Sequence, residues 1–455
     1  QEERKNTPKR LVADQKVLFD KAVRENKLVF VVTGRPYHAD PLIHQKVGQI
    51  LSDVGVDAFT DDIFREDEND GFRKLNIVTQ WSYPNRVVKA AMEVAKLSGN
   101  VQLIQLNSFG CGPDSFFMDE VGKILRQGGK NHTILRLDEI ASSGSVRLRM
   151  RSLIESLKVV RTGYTENVKT FEGYKTTYKK EDRKKTILVP WFADFLSPFI
   201  PAIGELAGYK IINLPKTNRA SAEAGLVYGH NEVCYPSTLV LGDIITALQS
   251  GEYNLDDVVV AITQTGGQCR ATNYVAQIKS GLENAGFSHV PVLVLSTGAV
   301  YQNEQKAFKV PVLKIINIII YALLYADALY QMYSLTIVRE REKGYAQQLF
   351  DFYVGMGINA IRENDHKALL SSLEQAVTDF NRLPLYDYEF TKVGLIGEIY
   401  VKYNSYGQAH ITEWLRSQNM EVVTPPILDF VMQYFVNSEV NLKNGVIRGS
   451  IMKHL

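Results

Sequence analysis

Along this chain the spacing of hydrophobic and polar positions switches again and again between two periods, and the switches outline its elements. A charged leader, "RLVADQKVLFDKAVREN", has apolar residues at helical spacing, and the short β-branched run "KLVFVV" after it reads as a buried strand. "TGRPYHADP" then reads as a loop and "LIHQKVGQILSDVG" as a helix. The cycle repeats with "VDAFT" as a strand, "SYPNRVVKAAMEVAKLSG" as a helix, "NVQLIQLNSF" as a strand, "GCGPDSFFMDEVGKILRQGG" as a turn and helix, and "HTILRLDEI" as a strand. Strands alternating with helices predict an α/β fold built on parallel sheets with helices on both faces.

These elements delimit a first α/β domain with an N-terminal helix over residues 1–165. A polar, basic, aperiodic stretch then predicts a linker over 166–185. A second α/β domain over 186–310 begins with the strand "TILVPWF", includes "DVVVAIT" and "VPVLVLS", and carries Cys234 and Cys269. Residues 311–388 read as a helical segment, and in 389–455 the strand–helix–strand pattern returns as a third α/β portion. No repeat of fixed period and no low-complexity segment is present. The most apolar run, Val310 to Tyr333, is interrupted by Lys314, Asn317 and Asp327, which predicts a buried core helix rather than a membrane span.

At 455 residues the chain exceeds one ordinary core, and a formal net charge of +2 gives no electrostatic reason to bind nucleic acid or an anionic membrane. Small molecules or proteins are the expected partners. Cys111, Cys234 and Cys269 are an odd number set far apart, which argues against a disulfide framework and for a reducing cytoplasm. "QEERKNTPKR" lacks the apolar core of a signal peptide, and a start at Gln1 is compatible with a segment of a longer protein.

Each cysteine sits in a Gly- or Pro-containing loop that precedes a helix. Cys111 lies in "SFGCGPDS" after "VQLIQL", Cys269 in "TGGQCRAT" after "DVVVAIT", and Cys234 in "HNEVCYPST" before "TLVLGDIITALQSG". Ligands bind at the carboxyl ends of parallel strands, and a helix N-terminus there lowers a thiol's pKa and solvates a sulfur anion. The plain alternative for any one of them is a small buried hydrophobe. Three converging thiolates suit zinc with one histidine, or an iron–sulfur cluster. Zinc usually draws two ligands from one short loop, and here only His230 lies that close to a cysteine. Three cysteines on a four-iron cluster would leave one iron open to a substrate oxygen as a Lewis acid. A nucleophilic cysteine needs a base, and "HNEVC" matches no recognised pairing.

The segments "GRPYH", "DPLIH", "QWSYPNRVVKAA", "LNSFGCGPDS", "HNEVCYPS", "TQTGGQCRATNY" and "GEIYVKYN" resemble the 2-hydroxyacyl-CoA dehydratase-like region of the acyl-CoA dehydratase activase-related proteins. The likeness runs from about Lys27 to the C-terminus. It implies two to three Rossmann-like (flavodoxin-like) domains with an added helical segment, around a [4Fe-4S] cluster ligated by Cys111, Cys234 and Cys269. It also implies a partner: an ATP-hydrolysing activase, as a domain or a separate protein, that injects one electron into the cluster. The substrate implied is a 2-hydroxyacyl-CoA that loses water by a radical route, and dehydratases of this kind pair two unlike subunits, so a homo- or heterodimer is expected. "TGRP", "TGGQ" and "LIGEI" lack the lysine and spacing of a P-loop, so no ATP site is expected in this chain. Two other readings stand beside it, a non-catalytic electron relay or docking domain of a fused activase and a zinc-stabilised scaffold.

Arg35, His38 and His44 decorate the first strand-to-helix loop, where Arg35 and His38 can hold an anionic or oxygen-bearing group of the substrate; the plainer reading pairs Arg35 with Asp40 or Asp61. His230, Glu232 and Arg270 flank the cysteines as candidate proton donor, base and anion anchor, or as ordinary polar loop residues. Ser108, Ser237, Thr265 and Thr272 can donate to cluster sulfurs or merely cap helices. "GEIYVKYN" reads as a ligand loop or a structural turn, and the arginines 147, 149 and 151, two apart, read as a solvated helix start.

Overall fold

The computed structural model describes residues 2–40, 43, 46–64, 75, 77, 82–107, 114–137, 143–160, 174–231, 233–264, 270–296, 305 and 307–446. The first domain runs α1 (Glu2–Arg24), β1 (Val29–Thr33), α2 (Val47–Asp53), β2 (Asp57–Thr60), α3 (Ser82–Lys96), β3 (Val101–Asn107), α4 (Asp114–Gln127), β4 (Thr133–Arg136) and α5 (Ser143–Val160). Its sheet has the order β2-β1-β3-β4 with every pairing parallel, and Val29 faces both Asp57 and Val101. All seven residues of β3 are buried, as a central strand covered on both faces requires. In α3 the buried Val87, Val88, Ala91, Val94 and Ala95 form the one apolar stripe that seats a helix on a sheet.

The second domain follows the same plan with β5 (Thr186–Val189), α6 (Ile200–Leu206), β6 (Lys210–Asn213), α7 (Arg219–Tyr228), α8 (Tyr235–Gln249), β7 (Val258–Gln264), α9 (Tyr274–Asn284) and β8 (Val292–Ser296). Its sheet order, β6-β5-β7-β8, repeats that of the first and is again wholly parallel. The fold is therefore α/β and Rossmann-like, duplicated in topology where the sequence shows no repeat. In each sheet the chain reverses its direction of strand addition between the first and third strands, which opens a crevice at their carboxyl ends. The loops after β3 and β7, which contain Cys111 and Cys269, leave from those two crevices.

Three long helices, α10 (Val312–Thr336), α11 (Tyr345–Arg362) and α12 (His366–Asn381), come next, followed by β9 (Thr391–Gly394), α13 (Ile399–Tyr403), α14 (Ile411–Ser417), β10 (Met420–Val423) and α15 (Ile427–Lys443). The strands β9 and β10 pair in parallel. One continuous apolar core joins Ile187, Val259 and Leu293 of the second sheet to Ile318, Tyr325, Tyr353 and Leu369 of the helices and on to Tyr403 and Ile427. The helical segment and the last portion are thus docked on the second domain. The described half of the polar 166–185 stretch joins them: Tyr174 and Tyr178 are buried, and the Tyr174 hydroxyl donates to Val290 O at 2.5 Å. Two aromatic anchors inside a basic run turn the predicted spacer into part of the domain surface.

Among the described residues, α10 alone is long and apolar enough to cross a membrane. Ile315, Ile318, Ala322, Tyr325, Ala326 and Leu329 bury one face, while Leu313, Ile316, Ile320 and Leu324 remain exposed. The core-helix expectation holds for the first face. On that helix the buried Asp327 accepts the Ile427 and Leu428 N–H groups at 3.0 and 2.7 Å, which caps α15.

The α7–α8 hairpin is a close helix pairing that depends on two glycines. A Cβ on Gly242 would overlap the Ser221 carbonyl, and one on Gly225 the Thr238 carbonyl. Beside this contact the Asp243 carboxylate accepts from Thr217 Oγ1 at 2.8 Å and Tyr400 Oη at 3.3 Å, so α13 is tied to the second domain through a buried acid. Burial pushes that carboxyl up from 3.8 to about 6, against the pull of bonds from Ser221, Thr217 and Tyr400. An acid whose folded pKa is raised keeps its proton longer in the folded state, so stability falls as pH rises from about 4 through 6. The shift corresponds to about 3 kcal/mol. Asp243→Asn is therefore expected to exceed wild type in urea stability at pH 7 and to lose that advantage at pH 4. Taking the difference between the two proteins cancels the opposite slope contributed by His38 and His132, which burial pushes down to about 4. An advantage that does not change with pH would contradict the assignment.

Candidate functional site

Three helices start directly after the three cysteine loops, and their side chains fix how they lie. Near the starts of α4 and α9, the Phe116 and Tyr274 rings sit 6.3 Å apart between centroids. Farther along, Ser280 Oγ donates to Asp119 Oδ2 at 2.9 Å, and Lys123 Nζ lies 3.5 Å from Glu283. The contacts advance in the same order on both helices, so α4 and α9 run side by side in one direction. The helix α8 joins them in the same sense, because Cys234 Sγ is 3.5 Å from the Tyr274 hydroxyl and a Cβ on Gly281 would collide with Leu241. Three N-termini from two domains therefore meet around Tyr274. Each carries the partial positive charge of a helix N-terminus, which favours an anion.

Cys234 occupies the N-cap position of α8 and is half-buried. Cys111 and Cys269 lie outside the described residues, as do Glu232, His44, Ser108 and Thr265. Described residues bracket both loops in sequence. The Cys111 loop leaves β3 at Asn107 and re-enters at Asp114, while the Cys269 loop leaves β7 at Gln264 and re-enters through the turn Arg270–Asn273. Gln264 Nε2 donates to Thr272 O at 2.5 Å and closes the neck of the second loop. Arg270 opens that turn, and its side chain is outside the described set.

Two polar atoms close in sequence to cysteine loops, one each on Asn107 and Ser237, are buried with no hydrogen-bond partner. Asn107 is fully buried; its Nδ2 donates to Met118 Sδ at 3.0 Å, but its Oδ1 has no partner. Ser237, one turn into α8 from Cys234, is 1% exposed and its Oγ also has none. Buried polar groups are normally satisfied, so these two atoms are available to a bound group. Among the described residues no set of three His, Cys, Asp or Glu side chains is assembled for a metal.

Arg35 and His38 stand at the first-sheet crevice. Arg35 Nε donates to Asp114 Oδ2 at 2.8 Å, which joins the β1 loop to the first residue of α4, three positions after Cys111. Its guanidinium also lies 5.3 Å from the Tyr83 ring and 5.9 Å from that of Tyr37. Burial pushes the Asp114 carboxyl up, and Arg35 pulls it back. The predicted partners Asp40 and Asp61 give way to Asp114; Asp61 instead accepts from Thr33 Oγ1 at 2.6 Å and pairs with Arg86. His38 is 1% exposed, and its Nδ1 accepts the Arg35 backbone N–H at 3.1 Å. The ring folds back on the loop so closely that a Cβ on Gly34 would stand 2.7 Å from Nδ1. His38 shapes the turn that presents Arg35.

His230 is half-buried near His132, whose ring is pushed down to about 4 by burial and then by Arg126 and His230. That places it along the seam between the domains. "GEIYVKYN" supplies Glu398, which caps α13, and Tyr400 and Asn404, which bond to Thr217 at the carboxyl end of the second sheet. Sequence reasoning did not single out Tyr274, Asp114 or Asn107, although all three lie within or beside the quoted motifs; their position next to a cysteine loop was the available signal.

No protein-family model, curated protein or solved structure matches this chain.

Proposed function

We propose that this chain is a [4Fe-4S] protein resembling 2-hydroxyacyl-CoA dehydratase, whose cluster is held by Cys111, Cys234 and Cys269 and reduced by an ATP-dependent activase. The observation that carries the reading is the meeting of α4, α8 and α9 at Tyr274, with a cysteine loop preceding each helix and the buried Ser237 hydroxyl left without a partner in the first turn of α8. These residues fit such a group: thiolates are its donors, helix N-termini offset its negative charge, and a buried hydroxyl donates to its sulfurs. When bound, the cluster supplies one electron and an open iron for elimination of water from a 2-hydroxyacyl-CoA.

The chain's own residues then have distinct tasks. Arg35, fixed by Asp114 and the turn around His38, faces the crevice beside the Cys111 loop as an anchor for a carbonyl or anionic group. His230 and Glu232 are the proton donor and base for a departing hydroxyl, and Arg270, the residue after Cys269, is the anion anchor. The convergence joins two domains, so it is positioned for closure over a substrate. The partners in this reading are the activase and a second subunit, and the compartment is a reducing cytoplasm.

Anaerobic protein mixed with an ATP-dependent activase, ATP and a reductant is expected to lose visible absorption on one-electron reduction and then to release water from a 2-hydroxyacyl-CoA. Reduction without water loss would favour the electron-relay reading. Absence of reduction would overturn the proposal.

A further inference from the structure

We propose that the Ser237 hydroxyl is a hydrogen-bond donor reserved for a sulfur of the group bound at Cys234, with the Tyr274 hydroxyl as its companion from α9; this rests on the function proposed above. Ser237 lies in the first turn of α8, three residues after Cys234, and its backbone N–H is already committed to Cys234 O at 3.0 Å. A serine at this place ordinarily turns its hydroxyl onto a nearby carbonyl or toward water. Here the side chain is 1% exposed and Oγ reaches no acceptor in the protein. Pro236, Thr238 and Leu239 around it are buried too, so the hydroxyl gives up hydration with nothing in return. Alanine would fill the same space without that loss, unless an acceptor arrives with a ligand. Cys234 is the N-cap of α8 and Ser237 its third residue, so both belong to the first turn of the helix.

Tyr274 approaches from the other side. Its hydroxyl is 3.5 Å from Cys234 Sγ, where the thiol donates to the phenol oxygen. Once the sulfur is a thiolate it has no proton to give, and the phenol becomes the donor. Its ring, 6% exposed and set against Phe116, cannot swing away without parting α4 from α9. The Tyr274 hydroxyl thus meets Cys234 Sγ, and the Ser237 hydroxyl stands in the first turn of the same α8 with no acceptor of its own. Donors to a sulfur ligand withdraw negative charge and raise the reduction potential of the metal group. Neither residue need touch the substrate, so both are positioning residues.

Ser237→Ala and Tyr274→Phe are made in the full chain, prepared anaerobically, and compared with wild type in iron content and reduction potential. Both variants are expected to keep their iron and shift to a lower potential, while Ser237→Thr, which retains the hydroxyl, stays near wild type. In iron-free protein Ser237→Ala is expected to melt at the wild-type temperature or above it, because it removes an unsatisfied buried group. Iron-loaded Ser237→Ala with an unchanged potential would overturn the donor role alone. A lower melting temperature for the iron-free variant would also overturn it, by showing that the hydroxyl has an acceptor within the protein. Wild-type protein that takes up no iron would overturn the reading of the site and this role with it.

Discussion

Gly242→Ala is expected to destabilise the protein by about 3 kcal/mol or more, the upper range for forcing extra volume into a packed interior. The new methyl group would coincide with the Ser221 carbonyl, and Ser221 C and Gly225 N stand close behind it. All three are backbone atoms of α7, so no rotamer relieves the overlap and the two helices must part. Separation would strip the partners from Asp243 and loosen the bond network through Thr217 to Tyr400 and Asn404. It would also displace α8, whose N-cap is Cys234, and so damage the site. Gly355→Ala provides the control, since it lies within α11 with nothing inside 4 Å of an added Cβ. There alanine is expected to stabilise by about 0.5–1 kcal/mol. Urea titrations of the two variants check both signs, and a Gly242→Ala protein as stable as wild type would contradict the close approach of α7 and α8.

Cys234→Ser is expected to remove most of the bound iron while leaving the fold intact. The side chain is half-buried at an N-cap, where serine is a favoured residue, so the substitution leaves the helix at least as well capped. Its effect therefore falls on ligation. Disturbing a group that merely supports a ligand costs roughly 10–100-fold in metal affinity, and losing a ligand is expected to cost more. Circular dichroism and the urea stability of the iron-free proteins should match wild type while anaerobic iron content falls. Full iron in Cys234→Ser would strike that residue from the ligand set.

The alternation of strands and helices was legible because each switch of period is encoded within a dozen residues. "VQLIQLN" is apolar enough to be central in any sheet, and β3 is central. Arg35's partner was not legible, since Asp114 is 79 residues away and Asp40 and Asp61 are nearer in sequence. The burial of Tyr174 and Tyr178 was not legible in the 166–185 stretch, because two aromatic anchors do not change the average composition of a basic run. Cysteine placement in loops that open helices could be read locally, and Cys234 at the N-cap of α8 follows that reading. The meeting of the three helices could not, because it depends on α4 of one domain packing beside α9 of the other, through Phe116, Asp119 and Lys123.

The duplicated sheet order explains how one chain can assemble such a site. Each Rossmann-like unit has one crevice at its switch point, and in the proposed site each would contribute the loop that follows its third strand. The third loop comes from the α7–α8 hairpin, whose glycine contact sets the height of Cys234 against Tyr274.

The most direct test is the iron and acid-labile sulfide content of anaerobically purified protein. About four irons and about four sulfides per chain, with the brown colour of thiolate-to-iron charge transfer, are the expected result. Colourless protein carrying one zinc, or no metal at all after anaerobic reconstitution with iron and sulfide, would contradict the account.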